Sequence, residues 1–312
     1  MTDYKTPLFT IAIPTFRRPE LLRVALDSAI EQRTKVPFEV LVIDNDPESD
    51  FAKEIAAFQA RATSAQVRYV RNDENIGMFG NWNKCLDEAR SEWMTLLGDD
   101  DALHPDFLDT ILPYCTVDCT AIAVGKWEIQ TETAVEVLPG LQARSPNPVR
   151  FKKINALLFA IFNPIGTPAG FSFNRETALA LGGYEPEFYP SSDYRFAKRL
   201  AGWGTVITTN SKLAFVGIGD NASMRAEIMS GFFEKDLEIR AITPMALNRF
   251  VGLMNIAYQG HQFGFSVSEI TGISRLWDWP LSVLGFGFRV AKRTMLQITC
   301  KRVPLKPAFR IG

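Results

Sequence analysis

Three consecutive carboxylates, Asp99-Asp100-Asp101, stand just after the apolar run Trp93-Met94-Thr95-Leu96-Leu97. Adjacent carboxylates repel one another unless a cation neutralises them. Mg2+ or Mn2+ held by one or two carboxylates together with a diphosphate does so in nucleotide-using enzymes. Taken alone, an aspartate-rich turn reads equally well as a solvated loop or a helix cap. Its neighbours along the chain favour a site. Polar groups also follow three earlier apolar runs: Pro14-Thr15, Asp44-Asn45-Asp46 and Asn72-Asp73. Asp44 and Asn45 offer an acceptor and an amide donor to the edge of a nucleotide base, although the same residues serve as ordinary turn formers.

The elements that must position these groups are legible from periodicity. Phe9–Ile13, Val40–Ile43, Val67–Val70 and Trp93–Leu97 read as short buried strands. Between them, Leu22, Ala25, Leu26 and Ala29 recur at helical spacing behind Pro19, and residues 50–62 and 79–89 continue the helical pattern. Such alternation predicts a parallel sheet with covering helices. Ligands of open parallel sheets bind outside the carboxyl ends of the strands, and all four polar groups fall at such ends. From 115 to 225 the pattern is less regular. Strand-like pieces are expected at Ala121–Val124, Ala169–Phe173 and Thr205–Ile207, an apolar helix near 154–162, and loops at 139–148 and 163–170.

Composition removes several alternatives. A formal net charge of −1 over 312 residues speaks against a nucleic-acid partner. Four cysteines without a close CxxC pair fit a reducing compartment, and the two histidines, His104 and His261, lie far apart, which disfavours a Cys/His zinc site. P-loop, dinucleotide and nucleophile-elbow signatures are all missing. Pro14-Thr15-Phe16-Arg17-Arg18 stands where haloacid-dehalogenase-type phosphatases carry aspartates. The opening residues lack the order of a signal peptide, and the longest apolar stretch, 281–300, is interrupted by Arg289, Lys292 and Arg293. A cytoplasmic location is therefore expected.

At its C-terminal end the chain turns basic. Between Ile273 and Gly312 eight Lys/Arg face one acid, Asp278. Leu284, Phe288, Ala291, Met295 and Ile298 recur on one helical face, with Trp277 and Trp279 before them. This pattern suits peripheral attachment to an anionic membrane on its inner face, or a helix packed on the catalytic core.

From about residue 8 to about 225 the sequence resembles the family 2 glycosyltransferases, the inverting enzymes of the GT-A fold. The resemblance rests on an ordered series: FTIAIPTFRRPEL at 9–21, FEVLVIDND at 38–46, NDENIGMFGNWN at 72–83, LLGDDDALHPDFL at 96–108, Gly166-Thr167-Pro168 with LGGYEPEF at 181–188, and SSDYRFAKRL at 191–200. It implies an α/β, Rossmann-like, mostly parallel sheet flanked by helices, with a C-terminal helical extension. Residues 1–225 would form the transferase domain, about 1–105 its nucleotide-sugar half and 106–225 its acceptor half, and 226–312 the basic helical segment. Thr15, Asp44 or Asn45, and Asn75 would contact the nucleoside of a nucleoside-diphosphate sugar donor. Asp99 would face the ribose or diphosphate. Asp100, with Asp101, would hold Mn2+ or Mg2+. Asp193 would be the general base toward a glycan or lipid-linked acceptor, a surface-glycan intermediate in a bacterium. The sequence departs from the family pattern at Asn45, at Ser192, and in FVGIGDNASM at 215–224, which has no histidine. A nucleotidyltransferase on a related sheet and a non-catalytic scaffold in polysaccharide assembly are the competing readings.

Overall fold

Strands covered on both faces need no polar alternation, and β1 (Phe9–Thr15), β2 (Phe38–Asp44) and β4 (Trp93–Leu96) are buried along their whole length. In the computed structural model, residues 7–130, 149–219, 226–242, 244–263, 266–271, 273–299 and 301–302 are described. The expected loop at 139–148, residues 220–224 of the histidine-free tract, and Cys300 lie outside them.

Among the described residues ten strands form one sheet, in the order β10 (Lys301–Arg302), β7 (Lys152–Lys153), β9 (Val206–Ile218), β6 (Ala121–Gln130), β8 (Ser172–Asn174), β4, β1, β2, β3 (Ala65–Arg71), with β5 (Ala102–Leu103) paired to β9. The long ladders, β1–β2, β2–β3, β1–β4 and β6–β9, are all parallel, while the antiparallel pairings are short. The expected mostly parallel sheet with flanking helices and a C-terminal helical extension is the observed architecture.

Two apolar layers hold it. On one face α1 (Pro19–Ile30) inserts Leu22, Ala25, Leu26 and Ala29, the residues its periodicity marks, against Phe9, Ile11, Val40 and Val42, with Phe51, Phe58 and Phe107 completing the layer. On the other, Ala12, Leu41, Met94 and Leu96 meet α3 (Met78–Glu88) and α6 (Ser192–Trp203) through Phe79, Leu86, Tyr194, Phe196 and Leu200. The remaining helices are α2 (Ala52–Arg61), α4 (Phe107–Ile111), α5 (Arg175–Ala180), α7 (Ala226–Arg240), α8 (Met245–Phe263), α9 (Val267–Thr271) and α10 (Asp278–Thr299). A third apolar cluster, including Met229, Met254, Ile256, Val267 and Leu281, joins the C-terminal helices to one another.

The irregular second half departs from expectation in three places. The strand expected at Ala169–Phe173 is confined to Ser172–Asn174, and the helix expected near 154–162 is a short 3-10 turn at Ala156–Ala160, started by Asn155 accepting from Leu157 N–H. The strands expected at Ala121–Val124 and Thr205–Ile207 run on to Gln130 and Ile218. The outer half of β6 is partly open, whereas in β9 the polar, partly exposed stretch Asn210–Lys212 separates the expected strand from a second buried apolar run at Leu213–Phe215. Gly125 lies at a break in the β6–β9 register, where a Cβ would come within 2.6 Å of the Asn210 carbonyl. A bulge of this kind re-aims the side chains that follow it.

α10 corrects the expected apolar stripe. Leu281 and Gly285 are buried, while Phe288 and Met295 pack inward and Lys292 turns toward the body of the protein. The outward face is also apolar: Trp279, Val283, Phe286 and Val290 are each more than half exposed, as are Leu276 and Trp277 before the helix. Leu284 lies outside, and the side chains of Arg293 and Ile298 are outside the described residues. Among the described residues, no helix is long and apolar enough to cross a membrane.

Candidate active site

The parallel register puts Thr15 beside Asp44 at the carboxyl ends of β1 and β2, and the loops that follow are stitched together there. Asn45 N–H donates to the Thr15 carbonyl at 2.9 Å and Asn72 N–H to the Asp44 carbonyl at 2.8 Å. The Asn45 side chain is committed on both sides. Its oxygen accepts from Asn72 Nδ2 and Ile76 N–H, both at 3.0 Å, and its Nδ2 donates to Asn75 Oδ1 at 2.7 Å and to the Gly77 carbonyl at 3.3 Å. An amide so engaged has both N–H groups in use, so Asn45 shapes the 75–77 loop, while exposed Asn75 spends its Oδ1 on Asn45 and on Gly77 N–H. Asp44 is also bonded: Tyr69 O–H donates to Oδ2 at 2.8 Å and Asp46 N–H to Oδ1 at 3.0 Å.

The triplet after β4 is divided by its surroundings. Asp99 accepts from Thr15 Oγ1 at 2.8 Å, and Arg18 bridges Asp99 Oδ1 and Asp100 Oδ2 at 3.3 and 3.2 Å. Burial, and then the charge of Asp100, lift the Asp99 carboxyl to about 6 against the Thr15 and Arg18 bonds. Asp101 is turned inward to accept Gly217 N–H at 3.1 Å, and burial followed by Asp100 pushes its pKa up as well. Asp100 keeps a partly open carboxylate. No three His, Cys, Asp or Glu side chains converge as a ready-made cation cage among the described residues. The donor set fits a hard cation that completes its shell from a diphosphate and water, with Asp100 as the accessible ligand and Asp101 behind it.

Asp193 occupies the first turn of α6. Its Oδ1 accepts the adjacent Tyr194 N–H at 2.7 Å. The helix N-terminus favours a carboxylate, yet here desolvation outweighs it. Burial, with Asp236 adding to it against the Tyr194 bond and Lys126, raises Asp193 to about 7. Two other acids of this half of the chain could be considered for the same role: Glu187 is exposed, and Asp220 is outside the described residues.

Lys126 connects the two halves. Following the Gly125 bulge, its Nζ donates to the Ile165 carbonyl at 2.8 Å and to the Thr167 carbonyl, fixing the loop that contains Gly166-Thr167-Pro168. Desolvation lowers its pKa to about 8, and the charges of Asp101 and of Asp193 both act against that shift. Sequence reading missed Lys126, Arg18 and Asp236. Arg18 lay within a quoted stretch, but Lys126 and Asp236 stand in unremarkable runs.

Comparison with known proteins bears on the fold and the family. The model of the family described as Glycosyl transferase family 2 matches residues 10–177. An uncharacterised protein of Mycobacterium tuberculosis is 30% identical over 203 residues, which span 62% of this chain and 62% of that relative's length. The GalNAc(5)-diNAcBac-PP-undecaprenol beta-1,3-glucosyltransferase of Campylobacter jejuni is 32% identical over 107 residues, 34% of each chain. Among solved structures, the mannosyltransferase PcManGT from Pyrobaculum calidifontis, in complex with GDP-Man and Mn2+, superposes with a TM-score of 0.55 at 17% identity, covering 94% of this chain and 84% of that one. S. aureus TarS 1–349 in complex with UDP gives 0.54 at 14% identity, covering 86% and 76%. Identities so low establish a shared GT-A fold only. The family match is of another kind, since it covers over half of the chain and runs through Thr15, Asn45 and the whole carboxylate triplet. This chain belongs to glycosyl transferase family 2.

Proposed function

We propose that this protein transfers a glycosyl group from a nucleoside-diphosphate sugar to a hydroxyl of a glycan or lipid-linked acceptor, by single displacement with inversion. The observation that carries the reading is Lys126, whose ammonium feels both Asp101 and Asp193. In this reading the carboxylates suited to a diphosphate and the aspartate suited to an acceptor hydroxyl both lie within electrostatic reach of that one ammonium, which is itself bonded to the 163–168 loop. In this reading Thr15, Asp44 and Asn75 receive the nucleoside, with Asn45 holding the loop, and Asp99 meets the ribose or diphosphate. Asp193 takes the acceptor proton as that oxygen attacks the anomeric carbon, and the bond to the departing nucleoside diphosphate breaks with its electron pair. A base with a pKa near the working pH serves this step well. Mn2+ or Mg2+ at Asp100, backed by Asp101, would supply positive charge to the diphosphate when bound with the donor.

The named relatives support the substrate classes. Solved neighbours carry UDP, UDP-GlcNAc, or GDP-Man with Mn2+, and the Campylobacter relative is named for an undecaprenol-linked acceptor. The outward apolar face of α10, with Trp277 and Trp279 at its start, fits peripheral attachment to an anionic membrane at the cytoplasmic side. Incubation with a panel of nucleotide sugars and Mn2+ tests the activity. Release of a nucleoside diphosphate is expected. Pyrophosphate release would favour a nucleotidyltransferase instead, and no turnover with any donor a scaffold.

A further inference from the structure

The first turn of α6 is held from outside the sheet. Ser191, the fully buried residue before the helix, makes no side-chain cap to its own backbone; its hydroxyl donates to Asp236 Oδ1 on α7 at 2.7 Å. Asp236 also faces Arg240, one turn later on α7, at 3.6 Å. Buried Arg240 is fixed in turn by Asn248 of α8, whose oxygen accepts from Nε at 3.2 Å and whose Nδ2 donates to the Leu237 carbonyl at 2.7 Å. Lys292 reaches in from α10. It lies 4.4 Å over the Phe162 ring and donates to Asn255 Oδ1 at 3.5 Å, while Asn255 Nδ2 donates to the Ile161 carbonyl at 3.2 Å. Three C-terminal helices therefore converge on the start of the helix that carries Asp193 and on the segment leading to the 163–168 loop.

We propose that Asp236 is a positioning residue for Asp193: it holds the first turn of α6 through the Ser191 hydroxyl and adds a negative charge to the field in which Asp193 takes its proton. The C-terminal helices then complete the active site as well as extending the fold. The proposal rests on Asp193 being the base. Asp193, with Tyr184 beside it, feels the charge of Asp236, and the cations are distributed around the two acids. Asp193 sees Asp236 from α7 and Lys126 from β6; Asp236 sees Arg240 from its own helix and Lys292 from α10, with Tyr194 of α6 near both it and Arg240. Desolvation raises Asp236 to about 6, against the Ser191 bond and both cations, and lowers Lys292 to about 8. At neutral pH the cluster carries an ionised Asp236 whose charge makes Asp193 the stronger base.

Two substitutions separate the hydrogen bond from the charge. Asp236→Asn keeps an oxygen for the Ser191 hydroxyl and removes the charge. Ser191→Ala removes the bond and keeps the charge. Both are made in the full chain, and kcat is followed against pH at saturating donor and divalent cation, so that carboxylates bound to the cation do not titrate. For Asp236→Asn the acid limb of kcat should move toward lower pH by about half a unit or more, because losing a neighbouring anion favours ionised Asp193. For Ser191→Ala the limb should stay, with kcat down by about tenfold or more and donor KM unchanged, the mark of lost positioning in the transition state. A folded Asp236→Asn enzyme whose limb does not move overturns the proposal. Should that variant fail to fold, because Arg240 and Lys292 are left uncompensated, Ser191→Ala decides, and wild-type kcat there overturns it equally. Asp193→Asn is measured alongside. Retained activity in that variant removes the base assignment itself, whereas an inactive Asp193→Asn with an unmoved Asp236→Asn limb removes only the role of Asp236.

Discussion

At the scale of single residues, the chemistry depends on carboxylates whose surroundings pull them apart. In the proposed reaction Asp193 must be ionised to accept a proton, and burial raises its carboxyl to about 7. kcat should therefore reach a plateau above that pH and fall about tenfold per unit below it, the form expected for a single essential base. Asp193→Asn keeps the shape and cannot take the proton, so kcat should drop by about a hundredfold or more with donor affinity nearly unchanged. Retention of more than about a tenth of kcat, a barrier change under ~1.4 kcal/mol, would refute the assignment. The triplet should show its own division. Asp100→Ala is expected to abolish turnover and any Mn2+-dependent gain in nucleotide affinity. Asp101→Ala should be milder, because that carboxylate is already engaged by Gly217 N–H. Full activity in EDTA would exclude the cation from the reaction.

At the scale of elements, two backbone devices place these groups. One is the Gly125 bulge, which lets β6 approach β9 and turns Lys126 toward the 163–168 loop. The other is the Gly182-Gly183 turn before α6, where both residues have positive φ. At Gly183, with φ +67, a Cβ would lie 2.4 Å from Asn83 Oδ1, the atom that accepts Tyr184 N–H at 2.8 Å. Asn83 Nδ2 returns a bond to the Tyr184 carbonyl at 2.8 Å, so α3 and the approach to α6 are clamped together. Gly183→Ala combines a disfavoured φ with a steric clash and should destabilise by about 1–3 kcal/mol. A denaturant midpoint unchanged from wild type would show that the clamp carries no strain-sensitive role.

At the scale of the whole molecule, the question is what the C-terminal helices do beyond packing. Their inward faces bring Met295 into the second apolar layer and Asp236 and Lys292 to the start of α6, while their outward face leaves Trp277, Trp279, Val283, Phe286 and Val290 in solvent. Aromatic and aliphatic side chains so placed suit the headgroup boundary of a bilayer. The full chain should sediment with vesicles containing anionic lipid at low salt, and Trp279→Glu with Phe286→Glu should release it while leaving turnover of a soluble acceptor intact. A wild-type protein that stays in the supernatant would end the attachment reading. Because Lys292 is directed inward, insertion of the apolar face should contribute more to binding than basic charge does. Salt should therefore weaken attachment less than it would for a polybasic anchor.

The N-terminal half of the sheet was legible in the sequence because doubly covered strands must be continuous apolar runs. The same rule placed Thr15, Asp44-Asn45 and Asp99-Asp100-Asp101 at strand ends, where a parallel sheet opens. The α1 stripe followed directly from helical spacing. Three matters were decided only by tertiary packing. Lys126 gained its place from a bulge, which no local pattern in β6 reveals. Asp236 reached Ser191 across 45 positions of sequence through the docking of α7. α10 is apolar on more than one face, and periodicity cannot tell which of two apolar faces the body of the protein will cover. Sequence spacing reports which side chains share a face; which face is buried, and which distant charge then becomes a neighbour, depends on contacts made only when the chain closes on itself.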